Sequence, residues 1–205
     1  MARRVVKRKI KHGKIWFTLH APKIFNENEI GKTLGKEEKE IIGRTISIPL
    51  SEVNKDITKR NINLKLRIIK VTGEHAYTSI VSYELSKPFL QRMIRRKSNK
   101  IEIVKNLKLK DGKKYRIKII AVTLHKAKSS QLSGLNKEIS KEIETVIPTF
   151  DIETLITALV TGKLQREIQK RVSKIYPLRY LDIGKISTLK EKKEVKKQMP
   201  APKAE

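Results

Sequence analysis

The chain of 205 residues contains no cysteine. Disulfides, thiolate nucleophiles and cysteine-based zinc sites are thereby excluded, and the composition fits a reducing interior. Long apolar runs are also absent. No stretch approaches the roughly 18 residues that a membrane-spanning helix needs, and the basic first residues lack the apolar segment of a secretory signal. Acidic residues are scarce: aspartate and glutamate number 21 against 48 lysines and arginines, for a formal net charge of +27. Self-repulsion at that charge works against a compact isolated chain, so a polyanionic partner is expected. A membrane-surface binder concentrates its charge on one amphipathic helix or a short cluster. Here the basic residues run the whole length, as in a protein embedded among phosphates, and nucleic acid is the expected partner.

Catalytic arrangements are missing as well. The histidines, His12, His20, His75 and His125, are scattered and none has HxxxH or HExxH spacing, so no metal site is expected. Gly31-Lys32-Thr33 resembles the end of a phosphate-binding loop, but Asn26 stands where that motif needs glycine, and a lysine-bearing turn is expected instead. No G-x-S-x-G elbow occurs. The carboxylates between Glu138 and Glu167 are spaced as solvated helix faces and ion pairs, not as a general acid and base. The chain is expected to be no enzyme and to require no cofactor.

What is present begins with a basic arm. Residues 1–14 carry Arg3, Arg4, Lys7, Arg8, Lys9, Lys11 and Lys14 without one acidic residue. Like charges at that density do not pack on each other, so an arm ordered only by phosphates is expected. Residues 187–205 alternate lysine with glutamate and run into a Pro-containing end, which predicts a flexible tail.

Between them, over residues 15–186, the first half has a period of two. Ile15, Phe17 and Leu19 alternate with polar or aromatic residues; Ile46, Ile48 and Leu50 do the same, with Pro49 favouring an edge. Ile62, Leu64, Leu66 and Ile68 form the clearest strand, and Thr72-Gly73 turns it into a partner over about 75–83. Strands over 101–109 and 115–124 flank Asp111-Gly112, a hairpin signal. In the second, the apolar phase slips from Ile119 to Ile120, which suggests a bulge. Short strands with tight turns predict a small antiparallel β-barrel, closed or nearly so, and flanking helices make the class α+β.

The helical period of 3.6 marks four segments. Ser86 can cap a helix over Pro88 to Lys97, with Leu90, Met93 and Ile94 inward and Arg92, Arg95 and Arg96 outward. A second, from about Ser133 to Ile147, carries the stripe Leu135, Ile139, Ile143 and Val146. A third runs from Thr149 to a left-handed cap at Gly162. A fourth turns Leu164, Ile168, Val172 and Ile175 inward before Pro177. A last strand over 178–186 is expected to return to the barrel.

Three basic constellations stand out. Guanidiniums at Arg92, Arg95 and Arg96, followed by Lys97 and Lys100, can fork onto phosphate oxygens. The stretch from Thr123 to Gln131, with His125, Lys126 and Lys128, suits backbone phosphates and 2′-hydroxyls. Around Pro177, Lys174 and Arg179 flank Tyr176, which either stacks on an unpaired base or packs in the core. Lys114 and Arg116, on the polar face of their strand, complete the candidate RNA contacts.

The chain is similar over nearly its whole core to one family, the archaeal and eukaryotic small-subunit ribosomal protein eS-one, also written S-three-Ae. The likeness lies in Ala21-Pro22-Lys23-Ile24-Phe25, Ile30-Gly31-Lys32-Thr33-Leu34, Ile42-Gly43-Arg44 and Tyr83-Glu84-Leu85. It continues through Ile94-Arg95-Arg96-Lys97-Ser98-Asn99-Lys100-Ile101, Lys110-Asp111-Gly112, Ser130-Gln131, Gly162-Lys163-Leu164 and Lys174-Ile175-Tyr176-Pro177-Leu178-Arg179. The short C-terminal stretch resembles archaeal members. The resemblance implies a small barrel with helices, seated on the platform of the small subunit near the rRNA 3′ end and the mRNA exit, with rRNA and neighbouring ribosomal proteins as partners. It implies no enzyme activity and no cofactor. The chain departs from the family pattern at Ser82-Tyr83, where Gly-His is usual, at Lys126 and Lys128, where arginines are usual, and at Tyr180. A chromatin or RNA-chaperone protein is the alternative with the same charge and barrel.

Overall fold

The computed structural model describes residues 13–54 and 56–189. The candidate contacts Arg3, Arg4, Lys7, Arg8, Lys9 and Lys11 lie outside them, as does His12.

Among the described residues the architecture is α+β, an eight-stranded sheet with six helices. The strands are β1 (Ile15–His20), β2 (Glu29–Gly35), β3 (Thr45–Pro49), β4 (Ile62–Thr72), β5 (His75–Leu85), β6 (Lys100–Lys108), β7 (Lys114–Thr123) and β8 (Leu178–Thr188). The helices are α1 (Glu38–Ile41), α2 (Leu50–Asn54), α3 (Lys87–Met93), α4 (Ser129–Val146), α5 (Ile152–Thr161) and α6 (Lys163–Val172). Among the described residues no helix is long and apolar enough to cross a membrane.

Where a small antiparallel barrel, closed or nearly so, is expected, the sheet is mixed and not closed, and β5 is the reason. One edge of β5 pairs with β4 along its length, as the hairpin at Gly73 (φ 60°) requires. Its other edge is shared. Residues His75–Tyr77 pair in parallel with β1, and Ser82–Glu84 pair antiparallel with β8. The sheet therefore branches: β1 and β2 leave one end of β5, while β8, β7 and β6 leave the other.

Each branch has its own core. Phe17, Leu19, Ile41, Ile68, Val71 and Ala76 form a small one under β1 and α1. Leu64, Leu66, Tyr83, Ile117, Ile119, Ile183 and Ile186 join the helices in a large one. The helices reach it with residues three or four apart: Leu135, Ile139 and Ile143 of α4, Leu155 and Leu159 of α5, Leu164, Ile168 and Val172 of α6.

Local chemistry explains most boundaries. Pro49 ends β3, which pairs only with β4 and so needs no outward donor. Gly162 adopts φ 72° between α5 and α6, the left-handed cap expected of it. Asp111 turns the β6–β7 hairpin with Gly112 (φ 75°), and its Oδ2 also accepts the Ile152 N–H at 3.2 Å, so one turn residue caps α5.

Several expectations shift. The bulge is not in β7, whose register with β6 is unbroken; the extra residues are in β8, Gly184 opposite Lys118 and Ile119 and Arg179 opposite Val122 and Thr123. A Cβ built on Gly184 would stand 2.7 Å from Ile120 Cδ1, so this glycine lets Ile120 bury on the second face of β7. That burial, and not a bulge, produced the phase slip. Gly31-Lys32-Thr33 lies within β2 and is strand rather than turn. Ser187 and Thr188, expected in the tail, belong to β8, where Thr188 Oγ1 donates to Val81 O at 2.9 Å. The helix begun at Thr149 starts at Ile152 after a 3₁₀ turn, and α4 starts at Ser129 rather than Ser133.

Candidate nucleic-acid interface

Three basic segments distant in sequence meet around one residue, Thr123, at the C-terminal end of β7. Thr123 is fully buried. Its Oγ1 accepts the Asn99 N–H at 2.8 Å and donates to His125 O at 2.7 Å. Asn99 completes the tie, its Oδ1 accepting the Ala127 N–H at 2.9 Å. The stretch after α3 and the loop after β7 are thus fastened to each other. The third segment joins through Pro177, whose carbonyl accepts the Leu124 N–H at 3.1 Å, and through the Tyr176 hydroxyl, 3.5 Å from Lys126 O.

Within the first segment, α3 ends at Met93, earlier than its apolar pattern predicts. Lys87 to Met93 is helical, and Leu90, Met93 and Ile94 are half-buried rather than buried. Arg92 is exposed on the last helical turn. Arg95, Arg96 and Lys97 are exposed in a tight turn in which Ser98 Oγ donates to Arg95 O at 2.7 Å and Lys97 takes φ 66°. The guanidiniums therefore fan from a turn instead of lining a helix face. In the second segment His125, Lys126 and Lys128 are exposed, and the Lys128 N–H is held by Gln131 Oε1 at 2.9 Å as α4 begins. In the third, Lys174 is exposed, Arg179 is half-buried, and Tyr176 is half-buried against the large core. Tyr176 thus resolves as a packed tie with one accessible side.

Electrostatically the surface is uncompensated. Among the described residues no carboxylate lies within 4.0 Å of a charged nitrogen of Arg92, Arg95, Arg96, Lys97, Lys126, Lys128, Lys174 or Arg179. Some carboxylates elsewhere are engaged. Glu142 pairs with Arg171 and Glu144 with Lys105. Lys100 is the exception among the candidates, because it and Lys118 clamp Glu102 and hold that carboxyl below its ordinary range through their hydrogen bonds. Such an array of free donors is suited to phosphate oxygens.

Lys114 and Arg116 do not join this surface. They are exposed at the other end of β7, roughly 23–30 Å away at the rise of an extended strand, and Arg116 Nε donates to Asn106 Oδ1 at 3.2 Å.

Two features escaped the sequence reading. Ile175, expected inward on α6, lies beyond the end of that helix and is 45% exposed, and Leu124, tied to Pro177, is 47% exposed, so the basic segments also carry accessible apolar side chains. His20 and His75 are brought together by the parallel pairing of β1 and β5, with Nε2 of one 2.9 Å from Nδ1 of the other and Tyr77 stacked on His20. Among the described residues no group of three His, Asp or Glu side chains is placed to hold a metal.

The fold and this surface define a basic α+β protein with cations from three segments gathered around Thr123. The model of the Ribosomal S3Ae family matches residues 3–192, and the chain belongs to that family. Curated relatives called small ribosomal subunit protein eS1 include that of Staphylothermus marinus, 34% identical over 86% of this chain and 83% of its own length. That of Archaeoglobus fulgidus is 32% identical over 90% and 89%, and that of Methanoculleus marisnigri 31% identical over 84% and 87%.

Proposed function

We propose that the protein is a structural constituent of the small ribosomal subunit, bound to rRNA in the cytoplasm and catalysing no reaction. Family membership supports the ribosomal reading. The observation that carries the RNA reading is the convergence on Thr123: Arg92 to Lys97, His125 to Lys128 and Lys174 to Arg179 are held on one face with no carboxylate beside them. Phosphates neutralise that face, and Leu124, Ile175 and the accessible side of Tyr176 offer a base or sugar an apolar seat. In this reading the protein sits on the platform, near the rRNA 3′ end and the mRNA exit, among other small-subunit proteins, and family membership supports that seat. An arm over residues 1–14 adds Arg3, Arg4, Lys7, Arg8, Lys9 and Lys11 as contacts, and Lys114 with Arg116 forms a separate second one. Binding of this kind requires no cofactor or metal.

Salt dependence of rRNA-fragment binding tests the assignment. Each phosphate contact removed lowers the slope of log affinity against log salt by roughly 0.7–0.9. Replacing Arg92, Arg95 and Arg96 by Gln is expected to flatten the slope accordingly while leaving the thermal midpoint nearly unchanged, since all are exposed. Equal slopes for wild type and variant would make this face ordinary solvated surface.

A further inference from the structure

Between the two branches of the sheet, one edge of β5 is left without a strand. β1 pairs with it only as far as Tyr77, and β8 only from Ser82. Ser79 and Ile80, in between, pair with Arg67 and Leu66 of β4 on one side and, among the described residues, with no strand on the other. Beside this edge lie two adjoining hollows of about 540 and 370 Å³, which share Ile69, Ser79, Ile80, Lys113 and Tyr115 and make one groove. Its apolar wall includes Ile42 and Ile69, 47% and 59% exposed. An open strand edge beside exposed apolar side chains is a template for a further strand, and native proteins cover such edges.

Three observations name the covering segment. The first is position. Thr188, at the end of β8, lines the groove; its Oγ1 donates to Val81 O, and the next residue, Leu189, is held to Lys114 O through its N–H at 2.9 Å. Continued straight, β8 enters the gap between Ile80 on one side and Lys113 on the other. The second is length. Covering Thr78 to Val81 takes about four residues of extended chain, and residues 190–205 follow Leu189. The third is charge. Asp111, Asp151 and Glu153 line the far part of the groove, and among the described residues no cationic nitrogen lies within 4.0 Å of their carboxylates. Such a cluster repels phosphate and attracts lysine. Ile186 faces the large core, which α5 also joins. Alternation continued past Leu189 puts Lys190 and Lys192 on that face, toward the start of α5. Lys113 and Arg67 border the groove as well, and the segment carries Glu191 and Glu194 among its lysines.

We propose that the residues from Lys190 onward continue β8 into this fork, pairing with the open edge of β5 and setting Lys190 and Lys192 against Asp111, Asp151 and Glu153. The segment has too few apolar residues to fold alone. The groove supplies what it lacks: backbone partners, an apolar wall and opposite charge. A strand from a second copy or from a neighbouring protein has to compete with one already tethered at the groove, whose effective concentration is on the order of millimolar.

Isotope-labelled full-length protein, free of RNA, tests this by NMR. Heteronuclear NOEs of residues 190–193 are expected to match those of β8. The fork-facing amide of the Ser79–Ile80 pair is expected to exchange roughly tenfold more slowly in the full chain than in one ending at Leu189, the value of about one hydrogen bond. Asp151→Asn combined with Glu153→Gln keeps the side-chain shapes at the start of α5 and removes only charge. This variant is expected to lower the NOEs of residues 190–193 while the thermal midpoint stays near that of wild type. NOEs of residues 190–193 as low as those of residues 203–205 in the wild type would overturn the proposal without any variant, and would leave the edge to another protein. Equal exchange in the two chains, or a variant whose NOEs equal those of wild type, would overturn it too. So would protection that disappears on dilution, which would make the occupant a second copy.

Discussion

Replacing Thr123 by valine isolates the tie that assembles the basic face, because valine keeps the shape and removes only the hydroxyl. Thr123 is fully buried, so no water substitutes for what is lost. The Asn99 N–H loses its acceptor at 2.8 Å and His125 O loses its donor at 2.7 Å. A buried donor left unsatisfied costs about 1–3 kcal/mol, and the methyl that replaces the hydroxyl recovers little of it. In a domain of this size each kcal/mol moves the thermal midpoint by about 2–4 °C, so a fall of roughly 2–12 °C is expected by calorimetry. The effect on RNA differs in kind. No charge is removed, so the salt slope is expected to stay near that of wild type while affinity falls at every salt concentration, since a looser loop must be ordered on binding. A Lys126→Gln, Lys128→Gln double variant is expected to do the reverse, lowering the slope by about 1.4–1.8 with little change in midpoint. An unchanged midpoint for Thr123→Val would refute the claim that this hydroxyl fastens the two segments.

Ile143→Ala on α4 is expected to cost about 2–5 kcal/mol in denaturant titration, and Ile94→Ala distinctly less, because Ile143 is buried and Ile94 only half-buried; equal costs would place Ile94 in the core. Gly184→Ala is expected to destabilise by about 1–3 kcal/mol through overpacking against Ile120, and a smaller cost of Gly184→Ala in an Ile120→Val background than in wild type checks that cause. Burial holds the Asp182 carboxyl above its ordinary range despite its hydrogen bonds. The folded state therefore binds that proton more tightly than the unfolded chain, and stability from this group is gained as pH falls through the raised value and lost as pH rises. Wild type is thus expected to gain on Asp182→Asn between neutral pH and the ordinary carboxylate range, near 4; thermal midpoints across pH that diverge in the opposite sense would refute the assignment.

Much of the architecture was legible because it is local. Alternation over Ile62 to Ile68 and the stripe Leu135, Ile139, Ile143 state on which face each element buries, and Gly73, Gly112 and Gly162 sit where only a left-handed backbone continues the chain. The charge alone called for a polyanion, and the individual basic segments were visible as segments. Their assembly was not. The pairing of β1 with one end of β5 and β8 with the other joins residues tens of positions apart, and no periodicity encodes which strand edge a partner chooses. That choice opened the sheet and brought His20 to His75, while the β6–β7 register set Asn99 beside Thr123. Helix ends were misjudged for a related reason. The apolar residues Ile94 and Ile175 continue a helical period, but the backbone leaves the helix at Met93 and Val172, where local turns, closed by Ser98 Oγ on Arg95 O and by the Ile175 N–H on Val172 O, replace the helical pattern. By itself the sequence thus determined which surfaces are apolar or basic and what class of partner they need. The tertiary structure decided which of those surfaces touch, because contact depends on strand pairing and on single buried polar groups such as Thr123 and Gln165, whose value comes from partners the sequence places far away.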